Sequence, residues 1–68
     1  MEIRLSVPGM SCNHCKMAVT SAVQEVHGVE NVEVNLESKM VNVAGDPDVD
    51  ELVSAIENAG YTVEEVEQ

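Results

Sequence analysis

The sequence predicts an α+β fold: one four-stranded antiparallel sheet, covered on one face by two helices, in the chain order βαββαβ. Three observations carry this expectation. Apolar residues recur at every second position in several short segments, the period of a half-buried strand. Two other segments carry apolar residues at helical spacing, with polar residues between them. Glycine and proline fall at the joins, at Pro8-Gly9, Gly28, Gly45 and Gly60.

Taken in order, Ile3, Leu5 and Val7 alternate with Glu2, Arg4 and Ser6, which predicts a first strand ended by Pro8-Gly9. Met10 to Cys15 reads as a loop. From about Asn13 a helix is expected, with Ala18, Val19, Ala22, Val23 and Val26 on its buried face and Gly28 as its stop. Val32, Val34 and Leu36 alternate with polar residues to give a second strand. Glu37-Ser38-Lys39 is a turn, and Val41 and Val43 mark a third strand ended by Gly45. The short connection makes the pair a hairpin. A second helix starts at Asp48, with Glu51 three residues on as in a capping box. Its buried stripe is Val49, Leu52, Val53 and Ile56, and Gly60 ends it. Tyr61 to Val63 begin a last strand, in which Val63 and Val66 do not share a face under strict alternation. This order of elements is that of the ferredoxin-like sandwich.

With 68 residues the chain has room for one domain, 1–68, and one modest core. There is one tyrosine and no phenylalanine or tryptophan, so the core is built from aliphatic residues and methionine. The helices and strands have complete apolar faces, so the protein is expected to fold without a ligand. Thirteen acidic residues against three basic ones give a net charge of -10. That excludes nucleic acid and direct membrane binding as expected modes, and it suits solubility or a basic protein partner. No segment approaches the ~18 apolar residues of a membrane span. The amino terminus lacks the basic start and apolar run of a signal peptide. A cytoplasmic protein with reduced thiols is the expectation.

The informative stretch is Gly9-Met10-Ser11-Cys12-Asn13-His14-Cys15. Two cysteines three apart at a helix start can aim both sulfurs at one point. The helix N-terminus carries partial positive charge and free N–H groups, which favour the thiolate that binds metal. Lys16 follows directly. Thiolates select copper(I) or zinc. A structural zinc site uses four ligands, whereas two cysteines suffice for near-linear copper(I). A two-ligand site also stays open to a third thiolate from another protein. Cys12, in the loop, is expected to be the more exposed sulfur, and Cys15, in the first helical turn, the more buried.

Met10-x-Cys12-x-x-Cys15 behind Gly9, after the first strand of a βαββαβ chain, resembles the heavy-metal-associated domain; Gly60-Tyr61 adds to the match, which spans nearly the whole chain. Within that family the Gly-Met-Ser-Cys-Asn-His-Cys run is most similar to soluble bacterial-type copper chaperones. The resemblance implies a copper(I) carrier, not an enzyme, with Cys12 and Cys15 as metal ligands. It implies transfer to a copper-transporting P-type ATPase and, in some members, to a copper-responsive regulator. It also implies an apo monomer and a possible metal-bridged dimer. Zinc- and cadmium-exporting relatives often place Asp before the first cysteine; here that position is Ser11, which tilts the choice to copper(I). Periplasmic mercury carriers share the motif but need a signal peptide. The alternatives are a metal-binding amino-terminal module of a copper ATPase, a chaperone for another soft metal, a thioredoxin-like redox protein, or a zinc-binding interaction domain. A chain running from Met1 to Gln68 without a linker favours the free protein. The βαββαβ order and the absence of proline between the cysteines argue against the redox reading.

Other residues admit two readings each. His14 is a third or bridging ligand, or an exposed residue whose ring points away from the metal; the second is adopted. Met10 is a thioether ligand or, as adopted, an apolar plug. Met17 and Met40 read as gap fillers, and His27 as a residue favourable to the end of the first helix. Tyr61 either shields the site and bonds near a sulfur, or packs with its hydroxyl in water.

Overall fold

A computed structural model describes residues 2–68; Met1 lies outside the described residues. The elements are β1 (Glu2–Ser6), α1 (Asn13–Gln24), β2 (Val29–Asn35), β3 (Met40–Gly45), α2 (Val49–Asn58) and β4 (Glu65–Glu67). The strands form one antiparallel sheet in the order β2-β3-β1-β4. This is the expected ferredoxin-like arrangement, with β1 and β3 central.

Period two decides which residues enter the core. Ile3 pairs with Val43 and Leu5 with Val41, and all four are buried; the intervening pair, Arg4 and Asn42, faces the other way. Onto this apolar face pack Val19 and Val23 of α1 and Leu52 and Ile56 of α2. Val7 and Met10 complete the fully buried set from the segment that follows β1. Each such side chain removed from water contributes about 1.5–3 kcal/mol, and no aromatic ring is needed.

Four boundaries differ from the sequence reading, each for a local reason. Helix α1 stops at Gln24, four residues before Gly28. Val26 bonds back to the Val23 carbonyl (3.1 Å) in a tight turn and packs on the core from there. Strand β2 starts early, at Val29, by absorbing a bulge between Val29 and Asn31. It ends at Asn35, leaving Leu36 in the turn, because the Asn35 Oδ1 accepts from the Glu37 and Ser38 amides at 2.9 and 3.1 Å. The Asp48 cap forms, but it accepts from Asp50 N (2.9 Å) and is not the expected capping-box contact with Glu51. The last strand begins at Glu65, not Tyr61. Residues 61–63 carry Tyr61 and Val63 onto the core, and pairing to β1 resumes only where Glu64 N donates to Ser6 O at 2.7 Å. Val66 then stands opposite Leu5 on the edge strand, where it is exposed.

The connection from β2 to β3 ends in Lys39 at φ 61, a left-handed conformation costing a non-glycine residue about 1–2 kcal/mol. Its carbonyl accepts from Val7 N at 2.9 Å, so the strained residue is tied to the end of β1.

Two glycines separate strain from crowding. Gly45 has φ 123, and a Cβ there would overlap the Gly28 carbonyl oxygen and lie 2.9 Å from Glu30 N. Gly60 has φ 100, but a Cβ there would meet nothing within 4 Å. Gly60→Ala is therefore expected to cost only the backbone term, about 1–3 kcal/mol. Gly45→Ala should cost distinctly more, because the strand pair must part. Urea unfolding of both variants checks this; equal losses would contradict it.

Candidate metal centre

The loop that carries the cysteines is built from the end of β1. Val7 to Met10 form a β-turn closed by Met10 N donating to Val7 O (3.2 Å), with Pro8 where its fixed φ suits the turn. Met10 then drops into the core with no exposed surface, while Pro8, Gly9, Ser11, Cys12, Asn13 and His14 are all exposed. Met10 is thus the plug expected of it, and its thioether lies in the core.

Cys12 is the N-cap of α1, in extended conformation, and its side chain makes no capping bond. Its carbonyl accepts the first helical bond, from Lys16 N at 3.0 Å. The first turn holds no acidic residue, so its N–H groups and the positive end of the dipole face the sulfurs without a competing carboxylate. Cys12 is exposed and Cys15 half-buried, as expected from their places in loop and helix. Both are free thiols, with sulfurs 3.5 Å apart.

The environment of Cys15 lowers its pKa from an ordinary 9.0 to about 7. The Tyr61 hydroxyl beside the sulfur is the largest cause. The Ser11 amide and the Cys12 thiol follow, against a smaller opposing effect of burial. The same contact raises the Tyr61 pKa above its ordinary value. Tyr61 therefore takes the first of its two readings. It is half-buried, its ring lies over Gly9, and its hydroxyl faces Cys15.

The remaining residues divide. His14 is exposed on the first turn of α1. Met40 is partly buried, but Met17 is 66% exposed and fills no gap; it stands on the same helix as the cysteines, two residues beyond Cys15. His27 lies three residues past the end of α1, so it does not serve that terminus. Among the described residues, no group of three or more His, Cys, Asp or Glu side chains is placed to hold a metal. Sequence reading missed Lys39, whose Nζ donates to the Met10 carbonyl at 2.6 Å. The two residues are 29 positions apart, and nothing in a turn lysine signals such a partner.

Two soft thiols at the uncapped start of a helix, on a ferredoxin-like sandwich, define a small domain suited to holding a thiophilic metal. Comparison with known proteins agrees. Residues 4–62 match the model of the heavy-metal-associated domain, and the chain belongs to that family. It is 48% identical over 62 residues to a protein of Staphylococcus aureus (strain bovine RF122 / ET3-1) named copper chaperone CopZ, covering 87% of this chain and 91% of that one. A solved structure described as CopZ metallochaperone superposes with a TM-score of 0.88 at 44% identity, over 93% of this chain and 98% of that one. A copper-binding domain of HMA7, a P-type ATPase, gives 0.86 at 28% identity, over 98% and 97%.

The Cys15 environment makes a pH-dependent prediction. In a Cys12→Ser background, which removes the Cys12 thiol's share of the lowering, alkylation of Cys15 should still reach half its limiting rate below pH 9, and adding Tyr61→Phe should move that midpoint further up toward 9. No movement would show that the hydroxyl does not act on the sulfur. The linked stability has a fixed sign. Cys15 holds its proton less tightly when folded, so its contribution is fully present above pH 9 and is lost as pH falls through about 7.

Proposed function

We propose that this protein is a copper(I) carrier that binds one ion between Cys12 and Cys15 and passes it by ligand exchange to a copper-transporting P-type ATPase. The observation that carries the reading is the pair of thiols 3.5 Å apart at an uncapped helix N-terminus, with no third protein ligand assembled among the described residues. The names of the relatives support it: one is called a copper chaperone, and a P-type ATPase contributes a domain of the same fold.

The geometry supports transfer better than storage. Two metal–thiolate bonds of about 2.3 Å in line would set the sulfurs about 4.6 Å apart, wider than the 3.5 Å seen here. Cys15 is held by Tyr61 and the helix turn, so Cys12 is the ligand that swings outward on uptake. The exposed Cys12 is then the first to exchange. A partner thiolate adds to the ion, Cys12 leaves, and a second partner thiolate displaces Cys15, so copper is never free in water. Nothing is turned over in this sequence of steps; the metal is cargo.

Charge adds a steering term. The run from Val7 to Val19 contains no acidic residue and includes Lys16. Glu25, Asp50 and Glu51 lie together in the groove beside the far ends of the helices from the cysteines. The acidic body suits a partner with basic residues around its own metal site.

Anaerobic titration against a competing chelator should give one copper(I) per monomer, and replacing Cys12 and Cys15 together with Ser should abolish high-affinity binding. Unchanged binding by the double variant would overturn the assignment. Transfer to the partner domain should slow as salt rises and the Debye length shrinks to ~3 Å at 1 M. A rate that stays flat with salt would exclude steering and leave the acidity as a solubility device.

A further inference from the structure

Lys39 is one of only three basic residues in the chain. It adopts φ 61, the single positive φ of a non-glycine residue among those described. A lysine in this conformation needs a tertiary reason. Two contacts supply it. The Lys39 carbonyl accepts from Val7 N at 2.9 Å, and the Lys39 ammonium donates to the Met10 carbonyl at 2.6 Å in a partly buried position. Lys39 thus grips the metal loop on both sides of the Pro8-Gly9 turn. In a chain with 13 acidic residues, this cation is engaged by a neutral backbone carbonyl, which marks the contact as part of how the loop is held.

The gripped carbonyl belongs to the peptide group that joins Met10 to Ser11. The other end of that group is the Ser11 N–H, directly before Cys12. The peptide unit is planar, and the described residues contain no cis bond, so its C=O and N–H point in opposite directions. An ammonium on the oxygen therefore fixes where the hydrogen points. It also polarises the amide, which makes the N–H a better donor, as in any chain of hydrogen bonds.

We propose that Lys39 is a positioning residue for the metal centre: through the Met10–Ser11 peptide group it fixes the stretch of loop that leads into Cys12. Lys39 acts from the β2–β3 connection, so the hairpin reaches the centre without contributing a ligand. The inference rests on Cys12 and Cys15 as the metal ligands.

Three variants separate the possibilities. Lys39→Gly removes the side chain and relieves the left-handed strain. Lys39→Met keeps the apolar stem without the charge. Lys39→Arg keeps the charge and the donors. In the apo protein, the Ser11 amide proton should exchange with solvent several-fold faster in Lys39→Gly and Lys39→Met, and the Met10 carbonyl carbon resonance should shift. Lys39→Arg should restore both toward wild type. Copper(I) affinity should fall roughly 10-fold in the first two variants, as is usual when a group that orients the metal ligands is lost, and recover in the third. The urea midpoint of Lys39→Gly should not fall, because strain is released.

If Ser11 exchange, the Met10 resonance and copper affinity all match wild type in Lys39→Gly and Lys39→Met, Lys39 positions nothing and the proposal is overturned. A general loss of amide protection across the sheet would overturn it equally, by showing that the lysine only stabilises the turn. If wild type itself fails to bind copper(I), the metal reading fails; the apo exchange and carbonyl measurements then still decide whether Lys39 holds the peptide group.

Discussion

Met10 has no exposed surface, although the residues on both sides of it do. That contrast is the constraint on which the rest of the centre depends. A loop of exposed, polar or small residues has no hydrophobic reason to hold one conformation, and ordering it costs about 1–2 kcal/mol per residue of backbone entropy. One buried methionine between the end of β1 and the start of α1 ties the middle of that loop to the core. From this anchor, Ser11 and Cys12 have only one short path into the helix. The two sulfurs meet at 3.5 Å because the path is short. A flexible thioether suits the position, since it fills whatever space the two helices and the sheet leave.

From the anchor outward, each neighbour adds one restraint. The Val7–Met10 turn sets the direction of the chain. Tyr61, arriving from the end of α2, lies over Gly9 and places its hydroxyl at Cys15. Lys39, arriving from the hairpin, bonds the Met10 carbonyl. Restraints from three separate parts of the fold therefore converge on Cys15 and its loop, while Cys12 is left at the exposed edge as an uncapped N-cap. The asymmetry would suit the proposed carrier, in which one sulfur would retain the ion while the other exchanges.

Much of this was legible in the residues. The alternation of Ile3, Leu5 and Val7, and of Val41 and Val43, identified the two central strands, because a residue buried on one side of a sheet leaves a period that water enforces. The stripes of the two helices were read the same way, and the spacing of Cys12 and Cys15 located the candidate site. What was missed lay where local chemistry outweighs periodicity. Leu36 continues the alternation of the second strand, yet the Asn35 side chain captures the next amides and ends it. Tyr61 and Val63 look like strand residues but are spent on the loop and the core, so pairing starts later. Lys39 carried no signal, because its partner is a backbone carbonyl that any sequence would offer.

The account holds that the fold, and not the metal, organises the cysteine loop. Amide relaxation of the metal-free, reduced protein tests this most directly. Ser11, Cys12, Asn13 and His14 should show order parameters of about 0.85, like the helix they lead into. Values below about 0.6 in the apo protein, rising only when copper(I) is added, would contradict the account and make the ion the organiser of its own site.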